Sequence, residues 1–503
     1  MSGWGGGYVT DIGYTSGYYR QQSPRHLALA CLLTGVEPPD MSRDAPLSYL
    51  ELGCGQGYGA LVLAASNPLW QVVAIDFNPA HVASARALAA ASGTTNVRFI
   101  EADLATLAED PQAAGIPEAD VVSLHGVWTW VPPVVRRGIV RLLRAKVRPG
   151  GIVHVSYNAL PGWQEALALQ RLVREAGLRL ASRSDRQVQE GLEVAQALRV
   201  AGAEHLRRSP LVAAMLDHRQ HLPGGYLAHE YMNEYWSPSF HADVVADFVD
   251  AKLEWVGTAQ LLENFRELML TEEQRAIQDR FDDPVMRELV KDMAVSRGFR
   301  HDVFVRGVRR LDRAARDAAL GDVVLAPLVS PDSFAFEMDL PAGHASFGQA
   351  FHAPIVAALT DRPRSIAELL ALPDIEGNRN NPAELAGMLV GTEQALPVVL
   401  DHHQDAQRSA TFNRLAARSI SQCGPLDRGM AFASAELGNG VPCQALDLLV
   451  YGRLRACQGE PEPRRWAAEL TDGRDGDQAS RLAEILGKIV SQRLPVWRTL
   501  RLV

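Results

Sequence analysis

A glycine-rich turn is the part of this sequence whose residues most directly indicate chemistry. Residues 49–52 form a short apolar run that ends in Gly53, Cys54, Gly55 and Gly57. Glycine is needed where a side chain would keep the backbone away from a ligand, and where a turn has positive φ. An apolar helical run follows at once, and the first amides of a helix favour a carboxylate or a phosphate. The sequence therefore predicts a ligand-binding turn between a strand and a helix.

Acidic residues end the next two predicted strands. Asp76 closes the run 70–76, and Asp103 closes the run 97–103. A carboxylate at the tip of the second strand is where a ribose diol would be held. A carboxylate at the tip of the third strand could accept a hydrogen bond from the exocyclic amine of adenine. The three strand ends together predict a crevice for a nucleoside.

The elements that must position these groups alternate between strand and helix. Two further strands are predicted at 119–126 and 152–156, and helices at 80–91 and 134–146. Such alternation implies parallel strands with helices on both faces. We predict an α/β fold in which a Rossmann-like, doubly wound domain is followed by mostly helical middle and C-terminal domains.

The loops after the fourth and fifth strands would rim the same crevice, because ligands meet the carboxyl ends of strands in such sheets. The first loop contains His125, Trp128 and Trp130, and the second contains Tyr157 and Asn158. Aromatic rings with an amide suit a channel that strips water from an amine and holds it by cation–π contacts. The alternative is that the tryptophans pack under a helix and the histidine is a turn residue.

The glycine turn, preceded by Glu51 and followed by Asp76 and Asp103, resembles that of the class I S-adenosylmethionine-dependent methyltransferases. The dinucleotide fingerprint would have a third glycine at the position of Tyr58. A dehydrogenase is therefore the less favoured interpretation.

The rim loops make the resemblance more specific. Residues 125–132 and 156–163 are similar to the signature loops of bacterial methyltransferases that carry an appended methyltransferase regulatory domain. That group includes rickettsial protein-lysine methyltransferases that modify an outer-membrane protein. Residues 226–233 and 299–307 are similar to the appended domain, so the resemblance covers approximately residues 8–310.

The resemblance implies S-adenosylmethionine as the cofactor, S-adenosylhomocysteine as its product, and no metal. The residues expected to bind the cofactor are Glu51, Gly53, Cys54, Gly55, Gly57, Asp76, Phe77, Asp103, Leu104, His125, Gly126 and Val127. The candidates for catalysis at the acceptor end are His125, Tyr18, Trp130, Tyr157 and Asn158.

Composition narrows the classes of partner. The formal charge of −9 argues against general binding to nucleic acid or to a membrane surface. The five cysteines show no paired spacing, and His229, Glu230 and Glu234 lack the spacing of a zinc hydrolase, so no metal site is predicted. No apolar run reaches membrane-spanning length and no signal sequence is visible, so we predict a cytoplasmic protein without membrane insertion.

The length of 503 residues predicts more than one domain. We expect an N-terminal aromatic lid and helix over 1–45, and the cofactor-binding catalytic domain over 46–165. A helical, regulatory-like domain should follow over 166–325, and a C-terminal domain, with a winged-helix character, over 326–503. The lid would use the tyrosines at the amino end, which are Tyr8, Tyr14, Tyr18 and Tyr19. The long helices after residue 165 could also form a homodimer contact.

Methyl transfer from a sulfonium needs positioning and exclusion of water more than acid–base groups, and the rim loops contain no hydrolytic triad or carboxylate pair. The leading prediction is a methyltransferase acting on protein lysine. The alternatives are a small-molecule methyltransferase and a cofactor-gated protein-binding module without turnover.

Overall fold

The apolar runs before each predicted acid form the parallel strands of one sheet in the computed structural model. The structure describes residues 5–13, 17–42, 44–110, 115–219, 222–400, 406–422, 428–456, 460–471 and 476–503. Tyr14, one of the predicted lid residues, lies outside the described residues.

Seven strands build the main sheet in the order β3-β2-β1-β4-β5-β7-β6. They are β1 (Ser48–Leu52), β2 (Gln71–Asp76), β3 (Val97–Glu101), β4 (Ala119–Leu124), β5 (Val147–Asn158), β6 (Leu253–Thr258) and β7 (Phe299–Arg306). The first five strands pair in parallel, and β7 is antiparallel to both β5 and β6. The predicted doubly wound α/β fold is confirmed.

Helices cover both faces of this sheet and continue through the middle of the chain. Those of the first half are α1 (Pro24–Leu33), α2 (Tyr58–Ser66), α3 (Pro79–Ser92), α4 (Leu104–Leu107), α5 (Pro133–Lys146), α6 (Leu167–Leu180), α7 (Ser184–Val200), α8 (Glu204–Arg208), α9 (Pro210–His218), α10 (Gly224–Tyr231) and α11 (His241–Val249). Four more come before or after β7 along the chain. They are α12 (Arg266–Met269), α13 (Glu272–Gln278), α14 (Pro284–Val295) and α15 (Arg313–Gly321).

The C-terminal part contains small sheets among helices. Its strands are β8 (Val324–Pro327), β9 (Glu337–Leu340), β10 (Gly343–Ser346), β11 (Arg364–Ser365), β12 (Ala395–Val398), β13 (Gly429–Ser434) and β14 (Asn439–Gln444). Its helices are α16 (Gln349–Asp361), α17 (Ile366–Leu370), α18 (Pro382–Gly391), α19 (Gln407–Gln422), α20 (Ala445–Ala456), α21 (Pro463–Leu470), α22 (Gly476–Gln492) and α23 (Leu494–Thr499). The three-stranded sheet β11-β8-β12 lies beside α16, α17 and α18, and the winged-helix assignment stays a prediction.

The middle of the chain differs from the sequence prediction in one respect. The stretch 166–325 is mostly helical, as predicted, but it also supplies β6 and β7 to the catalytic sheet. The strand β7 pairs with β5 over seven residues, from Ile152↔Val305 to Asn158↔Phe299. Parallel β5 would otherwise leave an unpaired edge, so the appended segment and the catalytic domain share one sheet.

The C-terminal part packs on one face of the sheet. The Tyr58 hydroxyl, at the start of α2, donates to the carbonyl of Ala431 at 2.7 Å. Ser66, at the end of the same helix, accepts from the Ser434 amide at 3.0 Å. One apolar core therefore runs from α1 and α2 into the C-terminal helices.

A buried charge network holds β7 against α14. The guanidinium of Arg300 contacts the carboxylates of Glu288, Asp292 and Asp302, and all four side chains are at least nine-tenths buried. Although burial acts to raise the pKa of Glu288, Lys291 and Arg300 hold it down to about 2. The same balance of burial against Arg300 and His241 leaves the pKa of Asp302 below its usual range.

We expect this network to make the fold acid-labile. A carboxyl whose folded pKa is depressed contributes stability above its unfolded pKa, and that stability is lost as the pH falls through the folded pKa. For Glu288 the window runs from about 4.3 down to about 2, with a contribution of about 3 kcal/mol. The contribution of Asp292 to the pH dependence of stability has the opposite sign, because burial raises its pKa.

Urea unfolding measured at pH 7, 5, 4 and 3 checks this expectation. The wild-type free energy of unfolding should fall below pH 4.5, and Glu288→Gln should flatten that fall. An unchanged pH profile in Glu288→Gln would contradict the assignment.

Candidate active site

The predicted glycine turn lies between β1 and α2, and three of its glycines have positive φ. The φ angles are +76° at Gly53, +53° at Gly55 and +71° at Gly57. A Cβ on Gly53 would stand 2.3 Å from Val127, and one on Gly57 would stand 2.4 Å from the ring of Phe99. Around Gly55 the space is open. Glycine is therefore required both by conformation and by close packing, and the turn presents bare backbone.

Asp76, at the end of β2, is tied to this turn. Its Oδ2 accepts from the amide of Gly55 at 2.7 Å, and its Oδ1 accepts from the amide of Asn78 at 2.9 Å. The ring of His81 lies 3.4 Å from the carboxylate. The first two strand ends are thus joined through one buried acid.

A cavity of about 680 Å³ opens at these strand ends. Nine of the predicted cofactor residues line it, namely Gly53, Gly55, Asp76, Phe77, Asp103, Leu104, His125, Gly126 and Val127. Asp103 is the N-cap of α4 and accepts from the amide of Ala105 at 2.8 Å. The structure therefore brings together most of the residues expected to bind the cofactor.

Two other predicted cofactor residues lie behind the cavity wall. Gly57 packs against Phe99 and Ala85, where it allows the turn to enter α2. The Cys54 thiol contacts the carbonyl of Gly55 at 3.6 Å, and burial raises the pKa of that thiol. Cys54 therefore fills space in the turn, with its thiol kept protonated.

Glu51 is buried beside the turn and is only partly satisfied. Its Oε1 accepts from Gln22 at 3.1 Å, whereas its Oε2 has no hydrogen-bond partner among the residues that the structure describes. Burial raises the pKa of Glu51 to about 7. A buried carboxylate oxygen without a donor suits a cationic group, such as the ammonium of an amino acid.

His125 follows β4 and lines the cavity. The ring of Tyr19 covers it, with centroids 3.9 Å apart, and its Nδ1 lies 2.9 Å from the hydroxyl of Ser156. Burial, together with the nearby His301, lowers the pKa of His125 well below its usual range. The imidazole is therefore neutral near pH 7.

His125 belongs to a cluster of three histidines that the sequence did not predict. The ring nitrogens of His125, His154 and His301 lie within 4.8 Å of one another. His154 Nε2 and His301 Nδ1 are 3.0 Å apart, with rings inclined by only 12°. Two nitrogens that face each other in nearly coplanar rings form an N–H···N hydrogen bond. Three histidines can also bind zinc, so the predicted absence of a metal stays a prediction.

The histidine cluster continues as a polar row on one face of the sheet. The His154 Nδ1 lies 3.0 Å from the hydroxyl of Ser123, which also accepts from Gln22 at 3.1 Å. Gln22 in turn donates to Glu51. A histidine and a serine at alternate positions in the apolar run 152–156 were the available sequence signal, because alternate residues of a strand share a face.

The two tryptophans of the first rim loop have different roles. Trp130 lines the cavity. Trp128 is fully buried and packs edge-on against Phe248, with centroids 5.1 Å apart. The packing alternative is therefore correct for Trp128.

Two of the predicted catalytic tyrosines are placed away from the cavity, and this corrects the sequence prediction. Tyr18 is 7% exposed and points to the C-terminal part, where its hydroxyl donates to Asn439 at 3.4 Å. Tyr157 is 1% exposed and donates to Asp302 at 2.5 Å. β5 extends to Asn158, so Tyr157 belongs to the strand and faces the apolar layer under the sheet.

Asn158 is still inside β5 but lies on the opposite face from Tyr157, as alternation requires. Its backbone amide donates to the hydroxyl of Thr129 at 2.8 Å. Its buried side-chain nitrogen has no hydrogen-bond partner within the described part of the chain. Asn158 therefore retains an unpaired amide, but it is not among the residues that line the cavity, and its catalytic role stays a prediction.

Described residues near the amino end line the cavity, and the lid stays a prediction. Gly5, Gly6 and Tyr8 line the cavity, and the ring of Tyr8 packs edge-on against Phe77 with centroids 5.7 Å apart. Sequence reasoning missed two further lining residues, Glu234 and Tyr235, which follow α10. They lie just beyond the stretch 226–233, whose resemblance to the appended domain was the available signal.

The described features fit S-adenosylmethionine. Bare backbone at Gly53 and Gly55, the Asp76 carboxylate and the unpaired oxygen of Glu51 can receive its carboxylate, ribose and ammonium groups. A seven-stranded sheet with this topology and this crevice defines a class I S-adenosylmethionine-dependent methyltransferase.

Comparisons with known proteins identify the family. Residues 50–151 match the model of a methyltransferase domain, and residues 223–306 match the model of a predicted methyltransferase regulatory domain. The chain is 32% identical over 366 residues to the uncharacterized protein sll1526 of Synechocystis, covering 73% of this chain and 71% of that protein. The chain belongs to the same family as that protein, and it combines a methyltransferase domain with a methyltransferase regulatory domain.

Rickettsial proteins are also similar. The uncharacterized protein RP789 of Rickettsia prowazekii is 26% identical over 237 residues, which are 44% of this chain and 41% of that protein. PKMT2 from Rickettsia typhi, solved in complex with AdoHcy, has a TM-score of 0.68 and covers 97% of this chain and 99% of its own. The identity is 15%, so this likeness shows a shared fold over nearly the whole chain.

Within the described residues, no helix has the length and apolar character that crossing a membrane would require.

Proposed function

We propose that this chain transfers the methyl group of S-adenosylmethionine to the side-chain nitrogen of lysine in a protein substrate. The observation that carries the proposal is the acceptor end of the cofactor cavity. Trp130, Tyr235 and the carboxylate of Glu234 line the same cavity as the glycine turn and Asp76. Aromatic rings beside a carboxylate attract an alkylammonium, which is the group that a lysine presents.

Different side chains of the cavity would contact the cofactor and the acceptor. When bound, the cofactor supplies an activated methyl group on a sulfonium. Glu51 and Asp76 would hold its cationic and ribose ends, and His125 and Trp130 line the same cavity as Asp76. The aromatic walls exclude water, which favours loss of the proton from an ammonium and frees the nitrogen lone pair.

His125 is the candidate weak base beside the acceptor, and its imidazole is neutral. One of its ring nitrogens lies within 4.8 Å of those of His154 and His301, but among the described residues the hydrogen bond in this cluster joins His154 to His301. Because burial keeps the pKa of His125 low, the proton of the ammonium passes to solvent before methyl transfer. The role of Asn158 stays a prediction. The resemblance of the rim loops to those of rickettsial protein-lysine methyltransferases supports the same acceptor.

Label transfer tests this proposal. The full chain is incubated with S-adenosylmethionine labelled in the methyl group and with a bacterial lysate, half of which has been acetylated to block its lysines. We expect labelled protein bands only with the unblocked lysate, and methyl-lysine after hydrolysis of those bands. Label confined to small metabolites would instead indicate a small-molecule methyltransferase. Cofactor binding without any label would indicate a binding module, and either result would reject the proposal.

Trp130→Ala should lower turnover and leave cofactor binding nearly unchanged. Loss of a cation–π contact with the acceptor costs about 1–2 kcal/mol, which corresponds to about a five- to thirtyfold lower kcat/KM. Label-transfer kinetics and calorimetry with S-adenosylhomocysteine measure the two effects separately.

Val134→Ala is the matched control, because Val134 lines the same rim without an aromatic ring. Equal losses of turnover and of cofactor affinity in Trp130→Ala would make Trp130 part of the cofactor pocket.

The homodimer, the cytoplasmic location and the absence of nucleic-acid partners stay predictions.

A further inference from the structure

A second cavity lies beside the cofactor cavity, and two tryptophans and two tyrosines form part of its wall. Its volume is about 280 Å³, and its walls include Trp163, Trp236, Tyr226 and Tyr231. The rings of Trp163 and Trp236 meet edge to face, with centroids 5.5 Å apart and an interplanar angle of 89°. Such a box of ring faces and edges is larger than one water molecule needs and has the size of a single side chain.

One carboxylate points into this aromatic box. Glu230 lies in the last turn of α10 and lines the cavity. No hydrogen bond or ion pair to Glu230 exists within the described part of the chain. Burial alone raises the pKa of this carboxyl to about 7. A carboxylate beside aromatic rings, with no lysine or arginine among the residues that line its cavity, lacks the ion pair that would offset its desolvation.

The two cavities are neighbours. Glu234 and Tyr235 line the cofactor cavity, and the next residue, Trp236, lines the second one. Tyr19 covers His125 at the cofactor cavity, and burial together with the charge of Glu230 raises the pKa of Tyr19. The second cavity is therefore close to the cofactor cavity.

We propose that the cavity around Glu230 binds the ammonium of a lysine side chain that lies next to the methylated lysine in the same substrate protein. The proposal rests on the proposed function, because it gives that substrate a second point of attachment. The carboxylate supplies charge complementarity, and the four rings supply faces for the ammonium and apolar walls for the four methylenes. An uncharged side chain would leave the carboxylate unpaired.

Fluorine NMR of the full chain labelled with 5-fluorotryptophan tests this binding without any methyl transfer. The resonances of Trp163 and Trp236 are assigned with Trp163→Phe and Trp236→Phe. Each sample, saturated with S-adenosylhomocysteine, is titrated with Nα-acetyl-lysine N-methylamide or with the corresponding norleucine amide, which lacks the charge. We expect the lysine derivative to shift both resonances saturably and the norleucine derivative to leave them unchanged.

Glu230→Gln separates the charge from the shape of the cavity. It should weaken binding of the lysine derivative about tenfold or more, since a charge-assisted contact becomes a neutral one. Glu193→Gln, at an exposed position of α7, is the matched control and should bind as the wild type does. Equal responses to lysine and norleucine, no response to lysine, or unchanged binding in Glu230→Gln would each overturn the proposal.

Protonation provides an independent readout of the same contact. Lysine binding should strengthen as the pH rises through about 7, because Glu230 must ionise before it attracts the ammonium. The other titratable side chains that face Glu230 are Tyr8, Tyr19, Tyr226, Tyr231 and His218. Burial raises the pKa of the four tyrosines, so they stay neutral across this range. Binding that does not change between pH 6 and 8 would contradict the role of Glu230.

The label-transfer and NMR experiments together can reject one proposal without rejecting the other. Label transfer to lysine without any shift of Trp163 or Trp236 would reject the second binding point and leave the methyltransferase proposal intact. Shifts with lysine in a chain that labels only small metabolites would keep the cavity as a lysine-binding site and reject its assignment to a methylated substrate.

Discussion

Asp76→Ala is expected to weaken the binding of S-adenosylhomocysteine by about ten- to a hundredfold. The carboxylate is placed to accept hydrogen bonds from the ribose, and it also holds the Gly55 and Asn78 amides in position. Hydrogen bonds to a charged group are worth about 1.5–3 kcal/mol, and each 1.4 kcal/mol is a factor of ten in affinity. Isothermal titration calorimetry of the purified variants measures the loss.

Two comparison variants show whether the effect belongs to the site. Asp374→Ala, at an exposed position of the C-terminal part, should bind as the wild type does. Gly55→Val should also weaken binding, because a branched side chain at a φ of +53° strains the turn although no atom stands in its way. Wild-type affinity in both Asp76→Ala and Gly55→Val would remove the roles assigned to the ribose acid and the turn.

Asp302→Ala is expected to lower the free energy of unfolding by about 3–5 kcal/mol, the cost typical of breaking a buried ion pair. Asp302 is fully buried and accepts from Tyr157, His241 and Trp255 while it pairs with Arg300. Its removal leaves three donors without an acceptor, two of them fully buried. Arg300 keeps two other carboxylates, so we expect a folded but weakened protein. Urea denaturation at pH 7 measures the change.

Tyr157→Phe is the informative companion, because Tyr157 was a candidate for catalysis. As a structural residue it should cost about 0.5–1.5 kcal/mol of stability and leave kcat unchanged in label transfer. A large loss of kcat with unchanged stability would return Tyr157 to the active site and contradict its placement beneath the sheet.

The cofactor half of the site could be predicted because its signals are local. Gly53, Gly55 and Gly57 are needed by the turn itself, and Asp76 and Asp103 end strands that are visible as apolar runs. In a parallel sheet the carboxyl ends of neighbouring strands meet at one edge, so the order along the chain is enough to bring these residues together.

The acceptor half depends on contacts between distant parts of the chain. His301 meets His154 across 147 positions, through a strand that the sequence pattern did not separate from the surrounding helices. A difference of one position along the chain also decides which way a candidate side chain points. Because side chains alternate along a strand, the extension of β5 turned Tyr157 away from the cavity and placed Asn158 on the opposite face of the sheet. The neighbours Tyr18 and Tyr19 also point to different partners. Tyr19 contacts His125, whereas Tyr18 contacts Asn439.

The most direct test of the account is a crystal structure of the chain with S-adenosylhomocysteine. We expect the adenine beside Asp103 and Leu104, the ribose hydroxyls on Asp76, and the amino-acid end between the glycine turn and Glu51. The sulfur should then face His125 and Trp130. A nucleoside bound elsewhere, or an empty crevice at saturating ligand, would contradict the assignment of this cavity to the methyl donor.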